Sequence, residues 1–283
     1  MKKIKALILI VLAVLLLNGC ASINEVDEDK VKDVTDKITE AIIDSVGKEK
    51  AERQESHTIN AEDFDTLKIS SSVGDITISS HDSPDAVINL NIAAHTGSKE
   101  KSEQLIEEFI YSVEENMNSI NIDTAFKKLN MDDNNVSTDL SINVPKNIEN
   151  IIISLNVGDV HIKNINGNYE IENNVGDISI ENSAASYNIK TNVGEINLTD
   201  AAAVNNSEFI TNTGDIKISL NDITNAAKIK AAADVGDIGI SIPDDSSYEA
   251  VINEFMEKER TESNKDKQTK IEIKTGVGSI TFN

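Results

Sequence analysis

Tryptophan is absent, and aromatic residues supply only 4% of this 283-residue chain. An interior built from it is aliphatic, and sugar recognition by ring stacking has little to work with. Basic residues are scarce, with 26 Lys and Arg against 49 Asp and Glu. The only arginines are Arg53 and Arg260. Phosphate binding needs clustered Lys and Arg, so nucleic acid is excluded as a partner. There is one cysteine, Cys20, so no disulfide forms within the chain. The length is ample for a sizeable core, and none is needed.

What is present begins with an address. Lys2, Lys3 and Lys5 precede an apolar run from Ala6 to Leu17, after which the chain turns polar. That layout is a secretory signal peptide over residues 1–19. Leu17-Asn18-Gly19-Cys20 resembles the bacterial lipobox. The resemblance implies cleavage before Cys20 and a diacylglyceryl thioether on it, a stable anchor by its two acyl chains. It also implies an extracytoplasmic location. This is a Gram-positive-like surface, or the outer membrane in a Gram-negative cell, since no Asp follows Cys20.

Residues 20–58 read as a spacer. Val31, Val34, Ile38, Ile42 and Val46 recur at helical intervals up to Gly47, a helix stop. Ala51 to Asn60 is polar and reads as linker.

From residue 59 the chain repeats itself. Val73-Gly74-Asp75-Ile76 recurs at Val157, Val175, Val193, Thr213, Val235 and Val277, with Glu195 and Ser279 as variants at the acidic place. Four residues before each lies Ile69, Ile153, Ile171, Ile189, Phe209 or Ile273. In the sixth copy Ile229 lies six residues ahead, which reads as an insertion of two. Short alternating strands of this kind cannot bury one apolar face alone, but stacked coils can. The prediction is an all-β, single-stranded parallel β-helix, wound right-handed by the crossover rule. Glycine sits where the alternation breaks, at a corner needing unusual φ. One glycine per coil is too few for a calcium roll of nine-residue units.

Stacking creates two polar ladders. Asn156, Asn174, Asn192 and Asn212 are placed to hydrogen-bond amide to amide along the stack. Asp159, Asp177, Glu195, Asp215 and Asp237 line one edge as a candidate cation edge, since carboxylate oxygens suit Ca²⁺. The alternative is that each acid bonds a backbone N–H in its own turn.

Ser141-Ile142-Asn143-Val144-Pro145, then Ile151-x-Ile153, then the Val-Gly-Asp repeats, resemble the bacterial putative adhesin family, a domain of unknown function. The resemblance spans residues 59–283 and implies a β-helix that is extracytoplasmic and non-catalytic. Some relatives are linked to envelope-stress responses. It brings no catalytic residues and no cofactor. The lipobox, the spacer and the insertion before the last repeat depart from it.

Residues 59–145 form an atypical N-terminal capping section and 146–283 the regular coils. In the former, Ala86 to Ala94 reads as a strand and Ser98 to Glu108 as a helix with Ser98 as N-cap. Phe109 to Val113 and Ser119 to Thr124 read as a hairpin around Glu115-Asn116, and Asn130 to Asn135 as a loop. Tyr248 to Phe255 reads as strand and Met256 to Lys267 as a charged loop. Nothing caps the last repeat, whose open edge invites pairing with another copy.

The chemistry of an enzyme is not assembled in the sequence. His57, His81, His95 and His161 share no metal-ligand spacing, and neither a phosphate loop nor a nucleophile elbow is present. The expectation is a lipid-anchored, adhesin-like binding or envelope-stress scaffold without metal or cofactor. A polysaccharide-acting β-helix enzyme is the alternative.

Overall fold

The computed structural model describes residues 49–125, 135–254, 259–264 and 268–283. The signal peptide, Cys20 and the helical spacer to Gly47 lie outside the described residues, as does most of the loop read at Asn130 to Asn135. The chain divides into two compact units. The described part of the smaller is 49–52 with 93–108. The larger is 53–92 with 109–283.

Strand β1 (Glu49–Asn60), whose residues 53–60 belong to the larger unit, occupies the stretch expected as linker. Its positions alternate half-buried and exposed, but the half-buried ones include Arg53, Glu55 and His57, so no apolar alternation betrays it. It pairs with β4 (Asp85–Thr96). The helix of the smaller unit, α1 (Lys99–Glu108), is where the sequence predicts it. The Lys101 N–H donates to the Ser98 hydroxyl at 3.3 Å, the expected N-cap. Ser102 is fully buried, and its hydroxyl donates to the Glu49 carbonyl at 2.9 Å.

The repeats stack as two parallel ladders. The first holds β2 (Thr66–Val73), β8 (Asn150–Val157), β10 (Gly167–Val175), β12 (Ala184–Val193), β14 (Asn205–Thr213), β16 (Ala226–Val235) and β20 (Thr269–Val277). The second holds β7 (Val136–Pro145), β3 (Ile76–His81), β9 (Val160–Lys163), β11 (Ile178–Glu181), β13 (Ile196–Ala203), β15 (Ile216–Asp222), β17 (Ile238–Ser241) and β21 (Ile280–Phe282). Between them lies the core. Ile69, Ile153, Ile171, Ile189 and Phe209 form one buried column, and Ile76, Val160, Ile178, Ile196 and Ile216 another. Each buried isoleucine contributes about 1.5–3 kcal/mol relative to exposure.

Every Val-Gly corner is built the same way. The repeat glycines have φ between +131° and +150°, a region essentially closed to L side chains. A Cβ on Gly176 would lie 1.9 Å from the Gly158 carbonyl oxygen of the coil before, and Gly194 stands in the same relation to Gly176. Glycine is required both by conformation and by the approach of neighbouring coils.

Several expectations need correcting. The architecture is all-β and solenoid-like, but the sheet is mixed rather than purely parallel. Antiparallel hairpins form between β5 (Ser112–Asn116) and β6 (Ser119–Thr124), and between β18 (Tyr248–Asn253) and β19 (Arg260–Asn264). The first hairpin turns at Met117, with φ of +48°, rather than at Glu115-Asn116. Part of the charged loop read at Met256 to Lys267 is strand β19, held by five cross-strand pairs to β18. No insertion precedes the sixth repeat's corner. Ala231 is paired with Phe209 and Ile273, so it, and not Ile229, continues the isoleucine column.

Stacking order departs from chain order at both ends. β6 pairs with β2, and β7 with β3, so these two strands lie beneath the first copy. At the other end β20 sits between β16 and β18. The last repeat is therefore covered on one side only: β18 covers β20, and β19 follows, while β21 pairs with β17 alone among the described residues.

Candidate functional site

The acidic residues form a ladder interrupted at Glu195, and the aspartates' hydrogen bonds reach the next coil rather than their own turn. Asp159 Oδ1 accepts the Asp177 N–H at 3.0 Å, and Asp177 Oδ1 accepts the Glu195 N–H at 2.8 Å. Asp215 Oδ1 accepts the Asp237 N–H at 2.9 Å. Asp237 Oδ1 accepts both the N–H (2.8 Å) and hydroxyl (3.0 Å) of Ser279. These bonds hold the Asp237 carboxyl below the usual carboxylate range. Glu195 is one methylene longer and takes another partner: its Oε2 accepts from Lys217 Nζ at 2.9 Å. That bond, with nearby carboxylates, raises the Lys217 ammonium's pKa.

The ladder is longer than the repeated string suggests. Asp75 Oδ1 accepts the Asp159 N–H at 3.1 Å, and Asp139 Oδ1 accepts the Asp75 N–H at 2.9 Å. Thr138-Asp139-Leu140 is thus a corner without its glycine. Thr138 does not take the positive φ of the repeat glycines, so a side chain is allowed there. The signal was Asp139-Leu140-x-Ile142, which has the spacing of Asp-Ile-x-Ile.

The asparagine ladder is formed as expected. Asn174 Nδ2 donates to Asn156 Oδ1, Asn192 to Asn174 at 2.8 Å, and Asn212 to Asn192 at 3.1 Å. A second one was not anticipated. Asn182 Nδ2 donates to Asn164 Oδ1 at 2.7 Å, with both residues left-handed at φ of +50° and +61°. Asp200 repeats that conformation eighteen residues on, at +52°. An eighteen-residue recurrence of Asn, Asn and Asp was the available clue.

Inside the stack, Tyr169 and Tyr187 lie nearly parallel, with centroids 5.5 Å apart, and Phe209 follows at 5.6 Å. The Tyr169 hydroxyl donates to the Ile165 carbonyl at 2.7 Å, and the Tyr187 hydroxyl bonds the Ser183 hydroxyl at 2.8 Å. Burial pushes the Tyr187 phenol up to about 12 and the Tyr169 phenol higher still.

The histidines do not converge. His57 Nε2 lies 3.1 Å from the Tyr111 hydroxyl, and His81 Nε2 lies 2.7 Å from the Asp85 carbonyl. Among the described residues, no three His, Cys, Asp or Glu come together as a metal-binding group. No helix among them is long and apolar enough to cross a membrane.

The family model of Toastrack DUF4097 matches residues 62–282, and the chain belongs to that family. Several solved structures are similar over most of the chain. A putative cell adhesion protein from Clostridium sporogenes is 14% identical, covers 82% of this chain and 99% of its own, with a TM-score of 0.31. A putative adhesin from Bacteroides fragilis is 15% identical, with coverages of 82% and 97% and a TM-score of 0.37. A putative lipid binding protein from Parabacteroides distasonis is 12% identical, with coverages of 82% and 97% and a TM-score of 0.27. No curated protein matches the chain.

Proposed function

We propose that this Toastrack chain is a lipid-anchored, non-catalytic surface protein that works as an adhesin-like binding scaffold in the cell envelope. The observation that carries the reading is how the polar residues are used. Asp159, Asp177, Asp215 and Asp237 each hold a backbone N–H of the next coil, and Asn156 to Asn212 hold one another. A catalytic carboxylate pair would instead face a substrate across a cleft. Side chains here tie successive coils to one another, which suits display rather than turnover. Cys20 supplies the attachment to the membrane, and the residues up to Gly47 hold the solenoid away from it.

Protease treatment of intact cells tests exposure. The account expects the solenoid to be cut or shed while cytoplasmic controls survive. The same purified protein is then incubated with wall glycans and acidic polysaccharides. Turnover abolished by one carboxylate substitution would replace the scaffold with an enzyme.

A further inference from the structure

The outer face of the second ladder differs in chemistry from the rest of this acidic molecule. Its two outward positions per strand follow the inward residues, as Thr77 and Ser79 follow Ile76 and Ile78. On β3, β7, β9, β11, β13, β15, β17 and β21 these positions hold Ser, Thr, Asn or Gly, apart from His161, Lys163, Glu181 and Lys217. Even those charges are matched: Lys163 Nζ lies 2.6 Å from Glu181 and Lys217 Nζ 2.9 Å from Glu195. The first ladder's outer face is rich in Lys and Glu instead, with pairs such as Lys230–Glu208 and Lys228–Glu272. A chain of net charge −23 therefore presents one extended face of hydroxyls and amides, edged by the acidic ladder through Asp139, Asp75, Asp159, Asp177 and Asp215.

That face is also recessed in two places. Near one end a groove of about 530 Å³ has Ser56, Thr77, Asn89, Asn91 and Ser141 in its wall, together with the carboxylates of Glu55, Asp75 and Asp139. Near the other a groove of about 210 Å³ passes Asn197, Thr199, Ser219, Gly239, Ser241 and Thr281. Gly239 has open space where its Cβ would be, so the second groove exists because that side chain is missing. Hydroxyl–amide pairs are already set, Ser79 Oγ to Asn143 Oδ1 at 2.7 Å and Ser56 Oγ to Asn89 Oδ1 at 2.9 Å.

We infer that this face binds an extended, uncharged glycan chain laid across successive strands. The inference rests on the proposed surface role and names its ligand class. Hydroxyls and amides both donate and accept, as sugar hydroxyls do. Strands stacked about 4.8 Å apart repeat the same groups at a spacing comparable with a sugar ring, so a polymer meets equivalent partners at each step. The carboxylates along its edge repel a polyanion and leave an uncharged chain unopposed. Recognition runs through the polar edges of the sugars.

Calorimetric titration of the full-length protein in detergent with cellohexaose and chitohexaose tests this. Binding to at least one is expected, with affinity insensitive to salt. Ser179→Glu with Ser219→Glu should weaken it by at least about tenfold, because two carboxylates crowd the face and strip hydrogen-bond partners. Asn206→Glu with Ala232→Glu, adding the same charge to the first ladder, should leave it unchanged. Circular dichroism melts of both variants confirm folding. No binding to either glycan, equal loss in both variants, or binding only to poly(glycerol phosphate) would overturn the inference. Surface exposure and the Cys20 anchor are read separately, so either claim can fail alone.

Discussion

The Glu254 carboxylate accepts the backbone N–H of Ile280 at 2.5 Å. In every interior coil the equivalent N–H, such as that of Ile238, donates to a backbone carbonyl of the next coil. Glu254 takes the place of a coil that does not exist, and Arg260 holds it from the other side at 3.3 Å. An exposed strand edge is thereby blunted by a side chain. Glu254→Ala should speed hydrogen exchange at the Ile280 amide and cost about 1.5–3 kcal/mol, the value of a hydrogen bond to a charged group. Glu254→Gln keeps an acceptor oxygen and should recover most of the loss. Equal exchange in all three proteins would show that the carboxylate does not close the end.

Gly176 is where the stack tolerates least. Gly176→Ala combines a disallowed φ of +136° with a Cβ 1.9 Å from the Gly158 carbonyl oxygen. The conformational strain alone is about 1–3 kcal/mol, and the clash adds to it. Denaturant unfolding should show a large loss. Gly239→Ala, where φ is ordinary and the space open, is the matched control and should be nearly neutral.

Asp177 separates hydrogen bonding from charge. If its Oδ1 serves the Glu195 N–H, Asp177→Asn preserves the acceptor and leaves the melting temperature close to wild type. Asp177→Ala should lower stability by about 1 kcal/mol. A cation edge predicts otherwise: wild-type melting rises with millimolar Ca²⁺, and the Asn variant loses that rise.

The stacked tyrosines set an alkaline limit. Tyr187 is raised from 10 to about 12 by burial. Between those values the unfolded chain releases a proton that the folded one retains, so stability falls as pH rises through that window. Phenolate absorbance should appear together with unfolding above pH 10. Tyr169→Phe with Tyr187→Phe should lessen the steepness of that loss, and an unchanged slope would contradict the assignment.

The repeated features were legible because translation along the stack writes them at fixed intervals. Gly158, Gly176 and Gly194, and the asparagines beside them, declare their neighbours by spacing alone. The stacking order was not legible. Ile120 pairs with Leu67 and Ala250 with Ile271 across stretches of chain that carry no local mark of the pairing. Asp139 was hidden because Thr138 stands where the repeats carry glycine, and Ala231 because a neighbouring Ile229 made a better-looking match. Strand β1 was missed for a different reason: its half-buried face carries Arg53, Glu55 and His57, so the alternation is not written in apolar residues.

Attachment through Cys20 is the claim on which the surface role depends. Cells expressing the wild type and Cys20→Ala are grown with an alkyne-tagged fatty acid, and the protein is isolated from membrane and soluble fractions. The account predicts a labelled, membrane-bound wild type and an unlabelled variant that leaves the membrane. A wild type without label contradicts it.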